Sequence, residues 1–238
     1  ATTGGLPTVA VRMPSNKIAA ALIRAAGGYI AAPSANRSGR PSPTVAKYVI
    51  EDLDGRVEMI IDGGFSAIGL ESTIIDLSEG EPMILRPGYV TQEKMMQVIG
   101  NVDVDRTILD ASSKEAPKAP GMKYRHYAPK GNLTIVEGPQ EKVTACINEK
   151  LSEGHKQGLK TGVIATDETI EQYRADVKRS LGSRKNEEAI AHHLFEVLRQ
   201  MDDEEVQLIF TESFAETGLG QATMNRLLKA AGHQVICL

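Results

Sequence analysis

The sequence predicts an α/β protein in two parts: a twisted mixed sheet with few helices, then a small parallel sheet covered by helices. Three observations carry this. Residues 1–105 set short apolar runs between glycine-rich turns, a pattern of mixed strands. Residues 132–238 alternate strand-like and helix-like runs in a regular rhythm. Between them, residues 106–131 have the composition of a linker, with Ser112-Ser-Lys-Glu-Ala-Pro-Lys-Ala-Pro-Gly121 at its centre.

In the first part, Thr8–Arg12 reads as a strand and Ser15 as the N-cap of a helix carrying Ile18, Ala21, Leu22 and Ala25 at helical spacing. Gly27-Gly28 ends that helix. Tyr29–Ala32 is a short strand, and Thr44 caps a second helix running to about Leu53. Strands follow at Val57–Ile61, Ser72–Leu77 and Met83–Arg86, and a helix at Gln92–Ile99. The chain opens Ala1-Thr-Thr-Gly-Gly without an initiator Met and runs at once into a strand pattern, as expected of a start inside a domain.

The linker ends in Met122-Lys-Tyr-Arg-His-Tyr-Ala-Pro-Lys130, basic and aromatic, which favours a segment folded back onto the protein over an inert tether. After it, strands are expected at Leu133–Val136, Thr161–Ala165, Val177–Leu181, Val206–Thr211 and Gln234–Cys237. Helices are expected at Glu141–Leu151, Glu168–Ala175, Glu187–Met201 and Gln221–Ala230. This rhythm is Rossmann-like, but no GxGxxG follows the first strand, so a dinucleotide is not indicated. Gly218-Leu-Gly220, ahead of a helix, fits a phosphate contact but is expected to shape the turn.

Composition narrows the function. Hydrophobic residues make up 41% and charged residues 24%, as in an ordinary globular protein. A net charge of −4 and 4% aromatics without Trp argue against a nucleic-acid-coating surface or a base-stacking platform. Cys146 and Cys237 form no CxxC or Cys/His pattern, so no structural zinc site is expected. No apolar run approaches bilayer length and no signal peptide is visible, which predicts a cytoplasmic protein without a membrane partner.

The chemistry concentrates in Pro33–Thr44, PSANRSGRPSPT. Ser34, Ser38, Ser42 and Thr44 offer hydroxyls, Asn36 an amide, Arg37 and Arg40 positive charge, and no acid cancels them. A loop of this kind ahead of a helix fits two readings, a phosphate cradle or a solvated linker. Thr8 and Arg12 share one face of their strand, where Arg12 suits a carboxylate or phosphate, or a surface ion pair. Glu71-Ser72-Thr73 opens a strand, and Arg86 closes one before Pro87-Gly88. Together these describe a basic, hydroxyl-lined pocket with no nucleophile. GxSxG, HExxH and Walker A are absent, and no metal site is expected. Asp52/Asp54 and Asp103/Asp105 read as solvated loop acids, and His192-His193 lacks a third ligand. No catalytic residue is assigned; positioning and electrostatics carry such chemistry, as in phosphoryl and nucleotidyl transfer.

Taken in order, Thr8-Val-Ala-Val-Arg12, Pro33–Gly39 continuing to Ser42-Pro-Thr44, Glu71-Ser-Thr73 and Leu85-Arg-Pro-Gly88 resemble the YrdC-type domain. The linker Pro120-Gly-Met-Lys-Tyr-Arg-His-Tyr-Ala-Pro129, followed by a second α/β domain, is similar to the long, two-domain form of the threonylcarbamoyl-AMP synthases. The resemblance implies a YrdC-like domain, present in part over 1–105, a linker over 106–131 that folds over the active site, and a Rossmann-like domain over 132–238. It implies an enzyme joining L-threonine, bicarbonate and ATP into L-threonylcarbamoyladenylate with release of pyrophosphate, for N6-threonylcarbamoyladenosine formation on tRNA.

Carried over, Thr8, Ser34, Asn36, Ser42, Arg86 and Tyr127 would meet ATP, which enters as substrate with Mg2+. Arg12, Ala32 and Ser72 would hold the threonine moiety. A tRNA threonylcarbamoyl transferase machinery downstream, with weak contact to tRNA itself, is the implied partner set. The family domain begins well before this chain does. Its Lys-x-Arg segment and a threonine-binding threonine have no counterpart here, so the isolated chain is expected not to make the adenylate. The alternative is a non-catalytic RNA- or nucleotide-binding module. The C-terminal domain could also gate the site through Tyr124 and Tyr127.

Overall fold

The computed structural model describes residues 7–78, 80–105, 127–215 and 217–238. The first helix, α1 (Lys17–Ala25), is capped by Asn16, not by Ser15. The Asn16 side-chain oxygen accepts from the amides of Ile18 and Ala19, both at 3.0 Å. It ends as expected, with the Gly28 amide on Ile23 O and both glycines at φ +101°. The second helix, α2 (Ala46–Leu53), has Val45 at its cap position; Thr44, expected there, is buried just before it.

Strands β1 (Ile74–Asp76) and β2 (Met83–Arg86) pair antiparallel, and after α3 (Gln92–Ile99), capped by Thr91, β3 (Asp103–Val104) joins β2 in parallel. The short β3 was not expected from the sequence. Conversely, the strands expected at Thr8–Arg12, Tyr29–Ala32 and Val57–Ile61 are extended segments without ladder partners among the described residues. An alternating run becomes a strand only beside a neighbour, and these runs leave Val11 and Tyr29 89% and 87% exposed.

The second half matches its rhythm. Its elements are β4 (Asn132–Glu137), α4 (Gln140–Lys156), β5 (Thr161–Ala165), β6 (Val177–Ser180), α5 (Glu187–Asp203), β7 (Leu208–Glu212), α6 (Gly218–Ala230) and β8 (Val235–Cys237). The strands form one parallel sheet in the order β6-β5-β7-β4-β8. Helices α5 and α6 cover one face, around Leu133, Ile135, Ile164, Leu194, Leu198 and Leu227. The other face holds Ile147 and Leu151 of α4 against Val136, Val163 and Phe210. The helix expected at Glu168–Ala175 shrinks to a 3-10 turn, Ile170–Gln172. Asn148 of α4 accounts for this, because its amide takes Gln172 O and the Arg174 N–H, both at 2.9 Å. Those backbone groups would otherwise serve a helix.

The outer sides of α5 and α6 meet the first half. Gly69 stands so close to α5 that a Cβ there would lie 2.3 Å from His192 O, and its φ is +81°. Phe65 stacks on the His192 ring with centroids 4.3 Å apart, and His192 Nδ1 lies 3.1 Å from Ala67 O. His192 therefore packs the two halves together.

Candidate active site

The loop Pro33–Thr44 is shaped from within and stapled from behind. Asn36 Nδ2 donates to Arg37 O and Arg40 O at 3.0 and 3.2 Å, closing a turn at Gly39, where φ is +87°. Asp52 of α2 accepts the Arg37 amide at 3.1 Å and Arg40 Nη1 at 2.7 Å. Arg199 of α5 then reaches across from the second half, giving Nη1 and Nη2 to Asp52 at 3.1 and 2.6 Å and Nε and Nη2 to Pro41 O at 2.9 and 2.6 Å. Asp52 is 2% exposed. It is thus no solvated acid, contrary to its reading in the sequence, and Asp105 is likewise buried. Burial opposes the charge of Asp52, but the Arg199 hydrogen bonds, the Arg37 amide and Arg40 outweigh it and hold its carboxyl below the usual range.

The staple continues along α5. Asp202 accepts Arg40 Nη2 at 3.3 Å and the Lys130 amide at 2.6 Å, and Asp203 meets Lys47 Nζ and the Tyr48 hydroxyl at 2.6 and 3.0 Å. The Nη groups of Arg40 are therefore spent on holding the loop, while its buried Nε has no partner among the described residues. The linker's last residues join the same assembly: the Ala128 amide donates to Gly39 O at 3.0 Å, and the Tyr127 ring lies 5.0 Å from that of Phe195. Residues 106–126 of the linker, with Tyr124 and His126, lie outside the described residues.

A second cluster sits at the other end of the loop. Glu71 is its hub: one oxygen accepts the Ser42 hydroxyl at 2.9 Å, and the other accepts Arg226 Nε of α6 at 3.0 Å. The Tyr127 hydroxyl also bonds Glu71. Arg86 at the end of β2 donates Nε and Nη2 to Ser72 O at 3.1 and 2.9 Å. Burial would raise the Glu71 carboxyl, but Arg226 and Arg86 overcome it and the net shift is downward. Burial, then Glu71, raises the Tyr127 hydroxyl. Arg86 itself is pushed down by burial, then by Arg226, with Arg12 adding to the repulsion.

The structure thus brings Ser42, Ser72, Arg86 and Tyr127 into one neighbourhood that Arg12 reaches electrostatically. Asn36 lies in the loop as its internal brace. Thr8, Ala32 and Ser34 lie in exposed, extended stretches. Beside the loop, a cavity of about 320 Å³ has mostly apolar walls, among them Ala35, Val49, Leu53, Met59 and Ile61. The sequence reading missed Asp52, Arg199 and Arg226; only an Arg inside an apolar helix face, as at 199 and 226, signalled a buried partner.

Both halves of the chain resemble known proteins. A family model described as "Threonylcarbamoyl-AMP synthase, C-terminal domain" matches residues 90–232. The chain belongs to the threonylcarbamoyl-AMP synthase family. A second model, described as "Telomere recombination", matches residues 1–88, so both halves of the family's two-domain form are represented. The threonylcarbamoyl-AMP synthase of Bacillus subtilis (strain 168) is 47% identical over 234 residues, covering 98% of this chain and 66% of that protein. That of Pyrococcus abyssi (strain GE5 / Orsay) is 48% identical, covering 98% of this chain and 67% of that protein. The chain spans about two thirds of the length of these curated relatives. A crystal structure of P. abyssi Sua5 complexed with L-threonine superposes with a TM-score of 0.90 at 48% identity, over 99% of this chain and 67% of that one.

Proposed function

We propose that this protein forms L-threonylcarbamoyladenylate from L-threonine, bicarbonate and ATP, releasing pyrophosphate, and that the product serves N6-threonylcarbamoyladenosine formation on tRNA. The observation that carries this reading is the meeting of the Ser42 and Tyr127 hydroxyls on Glu71, with Arg86 on the carbonyl of the adjoining Ser72, at the junction of the two halves. Family membership supports this chemistry as the one such a junction serves.

In this reading Thr8, Ser34, Ser42, Arg86 and Tyr127 address ATP, with Asn36 bracing the loop that carries the serines. Arg12, the Ala32 backbone and Ser72 address threonine. The threonine amine forms a C–N bond to the bicarbonate carbon as a C–O bond breaks and water leaves, giving a carbamate. A carbamate oxygen attacks the α-phosphorus, the bond to the bridging oxygen breaks, and pyrophosphate leaves. Arg12 and Arg86 offset the charge of carboxylate and phosphates, and the loop fixes the phosphate for in-line attack. No side chain need accept a covalent intermediate.

Mg2+ accompanies ATP in such reactions, but the described residues do not fit a protein-held ion. Glu71 is occupied by Ser42 and Arg226, and no group of three metal-ligating side chains occurs among the described residues. No step is assigned to it. We place the reaction in the cytoplasm, with a tRNA threonylcarbamoyl transferase as the consumer of the product and only weak contact to tRNA. Among the described residues no helix is long and apolar enough to cross a membrane.

The test is pyrophosphate release with each substrate omitted in turn, by these 238 residues and by a protein with the N-terminal part of the family domain restored. Release by the longer protein alone fits the expectation that this chain by itself does not turn over. Release that needs threonine, bicarbonate and ATP together supports the reading. Salt-sensitive tRNA binding without nucleotide affinity would favour an RNA-binding module instead.

A further inference from the structure

The Glu71 cluster holds more positive charge than its described partners neutralise. Arg86, Arg226 and Lys229 surround one carboxylate, Glu71. Arg226 is fully buried and its donors are committed: Nε to Glu71, Nη1 to Pro87 O and Nη2 to Glu71 O. Arg86 has two donors on Ser72 O. Lys229 stands one turn beyond Arg226 on the same side of α6. Its side chain is mostly covered, at 8% exposed, but its ammonium reaches solvent, with no hydrogen-bond or ion-pair partner among the described residues.

A lysine in the last turn of a helix usually points into water, where it favours the helix dipole. Lys229 is mostly covered instead, beside two guanidinium groups. Burial, then Arg226 and Arg86, pushes its ammonium down to about 8. A cation without a protein partner, open to solvent at the edge of a cluster with excess positive charge, is placed to take an anion.

We propose that Lys229, with Arg86, forms an oxyanion subsite contributed in part by the C-terminal half, which takes a phosphate group of ATP or of inorganic pyrophosphate. Arg226 neutralises Glu71 from within, while Lys229 supplies the free charge. This gives α6 a part in substrate binding, and it rests on the adenylate-forming reading above. Phosphate is favoured over a carboxylate because the hydroxyl of Ser42, on the phosphate-cradle loop, meets the same Glu71.

The test is calorimetric titration of the purified protein and its K229M, K229Q and K229R variants with pyrophosphate, ATP, AMP and threonine. Thermal melting verifies that each variant is folded; K229M removes the charge, and K229R keeps it. We expect K229M and K229Q to bind ATP at least about tenfold more weakly, as for loss of a charge-assisted hydrogen bond, with K229R within about threefold of wild type. A parallel loss for pyrophosphate with AMP unchanged assigns the subsite to the outer phosphates; a loss for AMP with pyrophosphate unchanged assigns it to the α-phosphate. Unchanged affinity for all three, a loss for threonine alone, or a wild type that binds none of the three overturns the subsite. Adenylate formation by the wild type is scored separately. If it occurs while K229M binds normally, only the subsite fails. If it does not occur while pyrophosphate binding depends on Lys229, the subsite stands and the catalytic reading fails.

Discussion

Arg199 donates to both carboxylate oxygens of Asp52, at 3.1 and 2.6 Å, with neither side chain exposed, although 147 residues separate them. The same guanidinium takes Pro41 O, so one side chain of the C-terminal half holds both the hydroxyl loop and the helix behind it. The two halves are therefore one mechanical unit at this point.

Replacing Arg199 with Met is expected to cost about 3 kcal/mol, because Asp52 stays buried with only Arg40 and the Arg37 amide beside it. For a chain of this size that lowers the melting temperature by about 6–12 °C. Asp52→Asn together with Arg199→Met should cost less than the sum of the single changes, as for directly coupled residues. Strictly additive losses in a thermal-melting cycle would show that the pair is not coupled.

Acid should loosen the same junction. Asp52 and Glu71 both hold their protons less tightly in the fold than in the unfolded chain, so each adds stability that is fully present above the ordinary carboxyl range. That stability is lost as pH falls through their depressed values, below about 4. Unfolding followed by circular dichroism should show a loss of stability in this range that is smaller in D52N. A D52N slope equal to that of wild type would remove Asp52 from the account.

The parallel half was legible because its strands, buried on both faces, read as continuous apolar runs such as Val163-Ile164-Ala165, between helices of clear period. The first half was less so. Its alternating runs have β composition, but strand formation depends on a neighbour that no local pattern encodes. Asp52 was misread for the same reason: Asp52-Leu-Asp54-Gly55 looks like a polar turn, and the buried Arg199 that claims it is remote in sequence. The hydroxyl loop, Ser72 and Arg86 were legible because their chemistry is local. Arg226 and Lys229 were not, since they sit in an ordinary helix whose neighbours in space are set by the docking of the two halves.

Gly69 tests that docking directly. Ala at this position meets the α5 backbone at His192 O and requires a left-handed conformation that alanine resists. Gly69→Ala should lower the melting temperature and, by shifting the segment that leads to Glu71, weaken ATP binding as well. A variant with wild-type melting and ATP affinity would show that the close approach at His192 is dispensable.

Raising the pH through the Lys229 midpoint should act in opposite directions on stability and on phosphate affinity. Its proton leaves the folded protein near pH 8 but stays on the unfolded chain to about 10.5. The unfolded state therefore binds more protons between these values, and this group makes stability rise with pH across that window. Affinity for a phosphate group should move the other way, because the anion needs the charged ammonium. Burial first, then repulsion by Arg226 and Arg86, lowers the midpoint, and Glu71 works against them. Titrating ATP into wild type and K229R between pH 7 and about 9 separates the lysine from the ligand's own ionisation, since arginine stays charged throughout. Wild-type affinity should fall across the range while that of K229R holds. Parallel profiles would mean that Lys229 carries no charge the nucleotide uses.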